Sequence, residues 1–195
     1  MIQVHSGLRR SMVWLLVSVL VATSLVFLAV APARAAGSVL LAESFSDTSV
    51  LDPAWQPLAD ACLTRATGTP PSTSSKLGVC TSRINAPALG VNPGFLQLTD
   101  NRTERSGGVV YNKPIPANGG LDVTFDQYQY SPASSGADGI GFFLTDGSKP
   151  LTTTGASGGS LGYAQKTGVP GVNGGYLGVG LDAFGNFSNS TEGRD

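Results

Sequence analysis

The residues that could do chemistry in this sequence are few, and histidine is not one of them. The single histidine, His5, lies in an N-terminal segment that reads as an export signal, and none follows Ala36. Ser-His-Asp and Cys-His nucleophile systems and histidine-held zinc therefore have no residues to use in the mature part. Glycoside hydrolysis needs two carboxylates across the scissile bond. The glutamates are Glu43, Glu104 and Glu192, and none stands in a Glu-x-Asp-x-x-Glu strand pattern. That leaves acids set among glycines. Asp138 precedes Gly139 and the apolar run 140–144. Asp182 ends an alternating run in which Gly178, Gly180 and Asp182 share one face. Two glycines beside an acid leave room above it for an ion or a ligand. Each acid also has an ordinary use: Asp138 as a turn residue, Asp182 as a strand-end Asx cap.

The segment before these residues is a targeting signal. Arg9 and Arg10 make a positive start, residues 12–30 are uncharged and apolar, and Ala33-Arg34-Ala35 is a small-x-small site. Cleavage after Ala35 is expected. An uncleaved anchor is the alternative, since the apolar run is long enough to span a bilayer. Without residues 1–35, nine basic residues face thirteen acids, a net charge of about −4. No Lys/Arg cluster remains to bind nucleic acid, and a cleaved chain has no membrane partner. Cys62 and Cys80 are the only cysteines. In an exported chain they are expected to form a disulfide, closing a Pro/Ser/Thr-rich loop worth roughly 3 kcal/mol. Two free thiols or a redox pair is the alternative reading.

The elements that must position the acids read as strands. Of the 195 residues 41% are apolar, with 26 Gly and 12 Pro, so a core can form between many turns. Strand-like pieces occur at 38–42, 94–99, 109–111, 121–126, 140–144 and 175–182. Residues 121–126 alternate apolar and polar, which predicts one buried and one wet face. Leu177, Val179 and Leu181 predict the same for 175–182. Residues 52–63 allow a turn of helix at most, because Pro53 and Pro57 oppose more. Stretches 67–75 and 152–160 read as loops. The expected fold is an all-β, antiparallel sandwich or jelly roll. It occupies residues 36–195 as one domain, and the absence of a strand after the final acidic loop predicts that the domain is C-terminally truncated.

Three segments in order resemble the legume-type (L-type) lectin family, in its bacterial surface branch. Ala137-Asp138-Gly139-Ile140-Gly141-Phe142-Phe143-Leu144 resembles the family's Ala-Asp-Gly-x-x-Phe-Phe-Leu strand. Gly158-Gly159-Ser160-Leu161-Gly162 resembles its Gly-Gly-x-Leu-Gly loop, and the run from Tyr176 to Asn186 its strand ending in Asp-x-Phe-x-Asn. The resemblance covers most of residues 38–190 and implies a concanavalin-like jelly roll that binds a glycan or glycoprotein without enzymatic activity. It implies that Asp138, after a cis peptide bond, accepts hydrogen bonds from sugar hydroxyls. Gly159 would donate its backbone N–H, Asn186 its side-chain amide, and Phe184 would stack on the sugar ring.

Calcium is the implied ion, because the candidate ligands are oxygens: the Asp182 carboxylate, the Phe184 carbonyl, the Asn186 side chain and a further acid, Glu192 or Asp195. The family's glutamate two residues before the aspartate is Gly180 here, and its histidine ligand has no counterpart, so no manganese is expected. The resemblance and the signal together place the chain as secreted or surface-bound after bacterial-type export. A structural adhesin module that kept the fold without the sugar is the rival function, and a jelly-roll hydrolase a weaker one. The glycosylation-like triplets starting at Asn101, Asn186 and Asn189 are read as chance matches.

Overall fold

The computed structural model describes residues 38–68, 76–80, 93–129 and 136–192. Residues 1–35, read above as an export signal, Asp195 and most of the 67–75 loop lie outside them. The chain divides into two units, Met1–Leu40 and Leu41–Asp195, and every strand named below belongs to the second. Among the described residues no helix is long and apolar enough to cross a membrane, and the apolar run 12–30 is not among them.

Among the described residues the regular elements are all strands apart from two single turns of 3-10 helix. They are β1 (Trp55–Ala59), β2 (Cys62–Leu63), β3 (Leu96–Gln97), β4 (Gly107–Tyr111), β5 (Gly139–Thr145) and β6 (Gly175–Asp182), with the 3-10 turns at Gly158–Ser160 and Ser190–Glu192. They pair antiparallel in three ribbons: β1 with β4, β2 with β3, β5 with β6. The architecture is thus all-β and antiparallel.

The β1–β4 ribbon explains why Val109-Val110-Tyr111 is apolar without alternation. Val110 and Leu58 face one core cluster with Leu151 and Val172, against which Phe143 and Tyr163 pack. Val109 and Trp55 face the other, built on Ala61, Leu63, Ala66 and Leu77. Successive side chains of a strand point to opposite faces, so a ribbon covered on both sides needs apolar residues at both parities. The Trp55 ring packs edge-on against Phe45 and Tyr111, at 5.0 and 5.3 Å between centroids. The Tyr111 hydroxyl donates to Asp52 at 2.7 Å. Asn112 ties the ribbon to the following loop, donating to the Leu151 carbonyl at 2.9 Å and accepting from the Leu151 N–H at 2.8 Å.

Cys62 and Cys80 form the expected disulfide. It fastens residues 78–80 beside β2, where the Leu63 N–H donates to the Gly78 carbonyl at 2.8 Å. Leu63 is fully buried.

Several expected strands are corrected. Residues 52–63 carry β1 and β2 rather than a turn of helix. Pro57 sits within β1, which is tolerable because among the described residues β1 pairs on one side only, with β4. Residues 38–42 form no strand, and Val39 is 81% exposed. Within 94–99 only Leu96–Gln97 is strand. Residues 121–126 also form no strand and have no buried face: Leu121, Val123 and Phe125 are all exposed. This segment meets the β5–β6 ribbon through side chains instead. Phe125 stacks on Phe142 at 5.5 Å, and the Gln129 amide donates to the Leu181 carbonyl at 2.9 Å.

Candidate functional site

The β5–β6 register places the two candidate acids side by side. Gly139 opposes Asp182, and the pairing runs to Leu144 opposite Leu177, with a bulge before Thr145. Beyond the last pair the Asp138 carbonyl accepts from the N–H groups of Ala183 and Phe184, at 2.9 and 3.1 Å. The start of β5 is thereby stitched to the loop after β6. The Ala137–Asp138 peptide bond is cis, the form that the resemblance implies.

Asp182 organises the loop that follows it. Its Oδ1 accepts from Phe184 and Gly185 N–H at 3.1 and 2.8 Å, and its Oδ2 from Phe187 N–H at 2.7 Å. This is the Asx-type role that short acids take at strand ends. The loop leaves the Phe184 ring 60% exposed, which excludes a core role for it. Asn186 is half-buried, and its Oδ1 accepts from the Asn189 amide at 2.9 Å.

The Gly158–Ser160 turn arrives over these residues from the other side. Its local conformation is written in Gly-Gly-Ser-Leu-Gly: Gly158 and Gly162 take φ of +73° and +72°, which glycine adopts without penalty. Ser160 is fully buried and donates to the Gln165 carbonyl at 3.1 Å, anchoring the turn from beneath. Gly141 of β5 lets the turn lie close, since a Cβ there would fall 2.8 Å from the Leu161 carbonyl oxygen.

Gly159 is buried against Asn186: a Cβ on it would collide with the Asn186 Cβ and lie 3.0 Å from Glu192 Oε1. Glycine is required here by the neighbouring loop of the protein itself. The open approach is one residue earlier. Gly158 is exposed, and the nearest atoms to a Cβ built there are Asp138 Oδ2 at 3.9 Å and Lys166 Nζ at 4.0 Å. Asp138, Gly158, Gly159, Phe184, Asn186 and Glu192 thus share one end of the β5–β6 ribbon.

The room expected above Asp182 is filled. Gly178 lies under the Tyr163 ring, and a Cβ on Gly180 would stand 2.5 Å from Cδ1 of Phe187. The two glycines admit aromatic rings from the chain itself, not an ion or a ligand. Sequence reasoning missed Phe187 in this role, and it missed Lys166, a lone lysine in a turn with no motif to mark it.

The site is acidic. Burial, and then the carboxylates of Asp182 and Glu192, push the Asp138 carboxyl above its ordinary range, while Lys166 acts in the opposite direction. For calcium, the donors are chemically suitable: the Asp182 carboxylate, the Phe184 carbonyl, Asn186 Oδ1 and the Glu192 carboxylate are hard oxygens. Among the described residues, no group of three or more acids, histidines or cysteines is placed to hold a metal by itself. Carbonyls and waters would have to complete the shell. Asp195, the other candidate ligand, lies outside the described residues.

Comparison with known proteins adds no relative: no family model, no curated protein and no solved structure matches the chain.

Proposed function

We propose that this chain is an exported carbohydrate-binding protein. Its saccharide site lies at the end of the β5–β6 ribbon, in a domain that completes an antiparallel sandwich of the L-type lectin kind. The observation that carries this reading is the meeting of three separate segments at one place. Asp138 immediately precedes β5, the Gly158–Ser160 turn follows a long loop, and Phe184 and Asn186 follow β6. An acid that only accepts, exposed backbone and an exposed aromatic ring form the combination that a polyhydroxylated ring requires. Carboxylate bonds to hydroxyls are strong, and the apolar face of a sugar covers an aromatic surface. Asp138 accepts from hydroxyls in this proposal, Asn186 and the glycine turn donate, and Phe184 stacks. No step of catalysis is assigned.

Calcium would be held by Asp182, the Phe184 carbonyl, Asn186 and Glu192, fixing the loop that carries the ring and the amide. The disulfide supports an oxidising destination, and export to the cell surface or medium is part of the proposal, with residues 1–35 as the signal.

A structural adhesin module is the second reading. It is favoured by the self-sufficiency of the 182–189 loop, in which Asp182 and Asn189 already hold the backbone and Asn186. A glycan array with and without chelator separates the two. Calcium-dependent capture that is lost in Asp138→Ala is the expected result. Capture of no glycan under either condition refutes the lectin reading.

A further inference from the structure

Among the described residues, Lys166 is the basic side chain that acts on Asp138. It stands in a tight turn, where its N–H donates to the Val169 carbonyl at 3.0 Å and its carbonyl accepts from the Val169 N–H at 2.8 Å. The same turn is tied to the end of the site, because the Thr167 N–H donates to the Glu192 carbonyl at 3.1 Å. The backbone at Lys166 is therefore fixed without help from its side chain. The ammonium reaches back toward the glycine turn and donates to the Ser157 carbonyl at 3.4 Å, a long bond to a neutral acceptor. Among the described residues no carboxylate lies close enough to it for an ion pair.

The position of that ammonium matters. A single point above exposed Gly158 is 3.9 Å from Asp138 Oδ2 and 4.0 Å from Lys166 Nζ. The gap is thus flanked by a group that only accepts hydrogen bonds and a group that only donates them. Gly158 floors it with backbone alone, and its positive φ disfavours any side chain there.

We infer that Lys166 is a ligand-binding, specificity-determining residue of the proposed saccharide site. The inference rests on the carbohydrate reading and deepens it. A sugar edge lying over Gly158 places a hydroxyl hydrogen on Asp138 and presents an oxygen, from a neighbouring hydroxyl or the ring, to the Lys166 ammonium. Two adjacent oxygens on a pyranose match this order, because one hydroxyl can donate while its neighbour accepts. A ligand with a donor at both positions is rejected at Lys166, and one with an acceptor at both is rejected at Asp138.

The test compares wild type, Asp138→Ala, Lys166→Met, Lys166→Arg and Lys149→Met on an array of immobilised neutral glycans ending in mannose, glucose, galactose and N-acetylglucosamine, in calcium buffer. Thermal unfolding of each variant runs alongside. Lys166→Met removes charge and donor while keeping the aliphatic stem. It is expected to keep its unfolding midpoint and lose about tenfold or more in affinity for the glycan that wild type captures. Lys166→Arg is expected to retain part of that affinity, and Lys149→Met, which removes a charge elsewhere, all of it. Capture by Lys166→Met equal to wild type, with Asp138→Ala inactive, overturns the role of Lys166 and leaves the lectin reading standing. Capture of no glycan by wild type overturns both. If Lys166→Met unfolds early, Lys166→Leu, which also lacks a donor, serves the same comparison, and undiminished capture by it overturns the inference equally.

Discussion

The packing of Gly159 on Asn186 makes a sharp prediction, because it says that a single methyl group matters and names what it strikes. In Gly159→Ala the new carbon would overlap Asn186 Cβ, lie 3.4 Å from Asn186 Cγ and 3.0 Å from Glu192 Oε1. The glutamate can rotate away. The Asn186 Cβ can move only with its backbone, which is braced by the Asp182 bonds to Phe184, Gly185 and Phe187. Overpacking of this kind costs about 1–3 kcal/mol, a fall in Tm of roughly 2–12 °C for a chain of this size. Gly158→Ala provides the contrast. Its methyl would meet nothing closer than 3.9 Å, so its cost is the left-handed backbone alone, about 1–2 kcal/mol. The assay is a double-mutant cycle by urea unfolding with Asn186→Gly as the partner. Removing the asparagine side chain should recover about 0.5–3 kcal/mol of the Gly159→Ala loss and none of the Gly158→Ala loss. Additivity of Gly159→Ala with Asn186→Gly would refute the contact, and with it the joining of the two loops.

Replacing Cys62 and Cys80 by serine should lower stability by about 3 kcal/mol, and reductant should do the same to wild type; a urea midpoint unchanged by either would contradict this. The Asp52 carboxyl is held below its ordinary range by the Ala54 N–H and then by the Tyr111 hydroxyl. Its stabilising contribution is therefore present above the usual carboxylate range and fades as pH falls through the lowered value. The same bond raises Tyr111, so that contribution fades only when strong alkali ionises the phenol. Tyr111→Phe should weaken both dependences, read as unfolding midpoint against pH, and an unchanged profile would break the link. Gly180→Glu, which places an acid where the resembling family has one, should destabilise by about 1–3 kcal/mol through the Phe187 ring and gain no manganese, as followed by the spin resonance of added Mn2+.

The strands that were legible in the sequence are those whose pattern was set by a partner close at hand. Gly175–Asp182 alternates and pairs along its length with Gly139–Thr145, but the expected buried face is corrected: Leu177 and Val179 are exposed, and it is the glycine face that the Tyr163 and Phe187 rings cover. Val109-Val110-Tyr111 is short and apolar at both parities, and it lies between two core clusters. Residues 121–126 carry the same alternation as Gly175–Asp182, and in both the apolar side chains are exposed, Leu121, Val123 and Phe125 in one and Leu177 and Val179 in the other, yet only the second forms a strand. Alternation records which side chains share a face. It does not record whether a neighbouring backbone is present to complete a ladder. β1 failed in the opposite direction. Pro57 argues against a central strand, but among the described residues β1 pairs only with β4, and on an unpaired edge a missing N–H costs little.

At the site, the spacing of the motifs was readable and the reasons for individual glycines were not. Order along the chain was enough to bring Asp138, the Gly158–Ser160 turn and Asn186 to one candidate pocket. A glycine in a sequence, however, says only that something comes close. At Gly178 and Gly180 the close neighbours are the rings of Tyr163 and Phe187, and at Gly159 it is Asn186; all three belong to the protein. Gly158 alone among these four lies open, and what flanks it is an acid and an ammonium. Three of the four glycines therefore build the loops, and the fourth provides the floor on which a ligand can lie. That distinction depends on long-range packing, so no reading of local pattern could have drawn it. It moves the centre of the proposed site from the predicted Gly159 to the gap between Asp138 and Lys166.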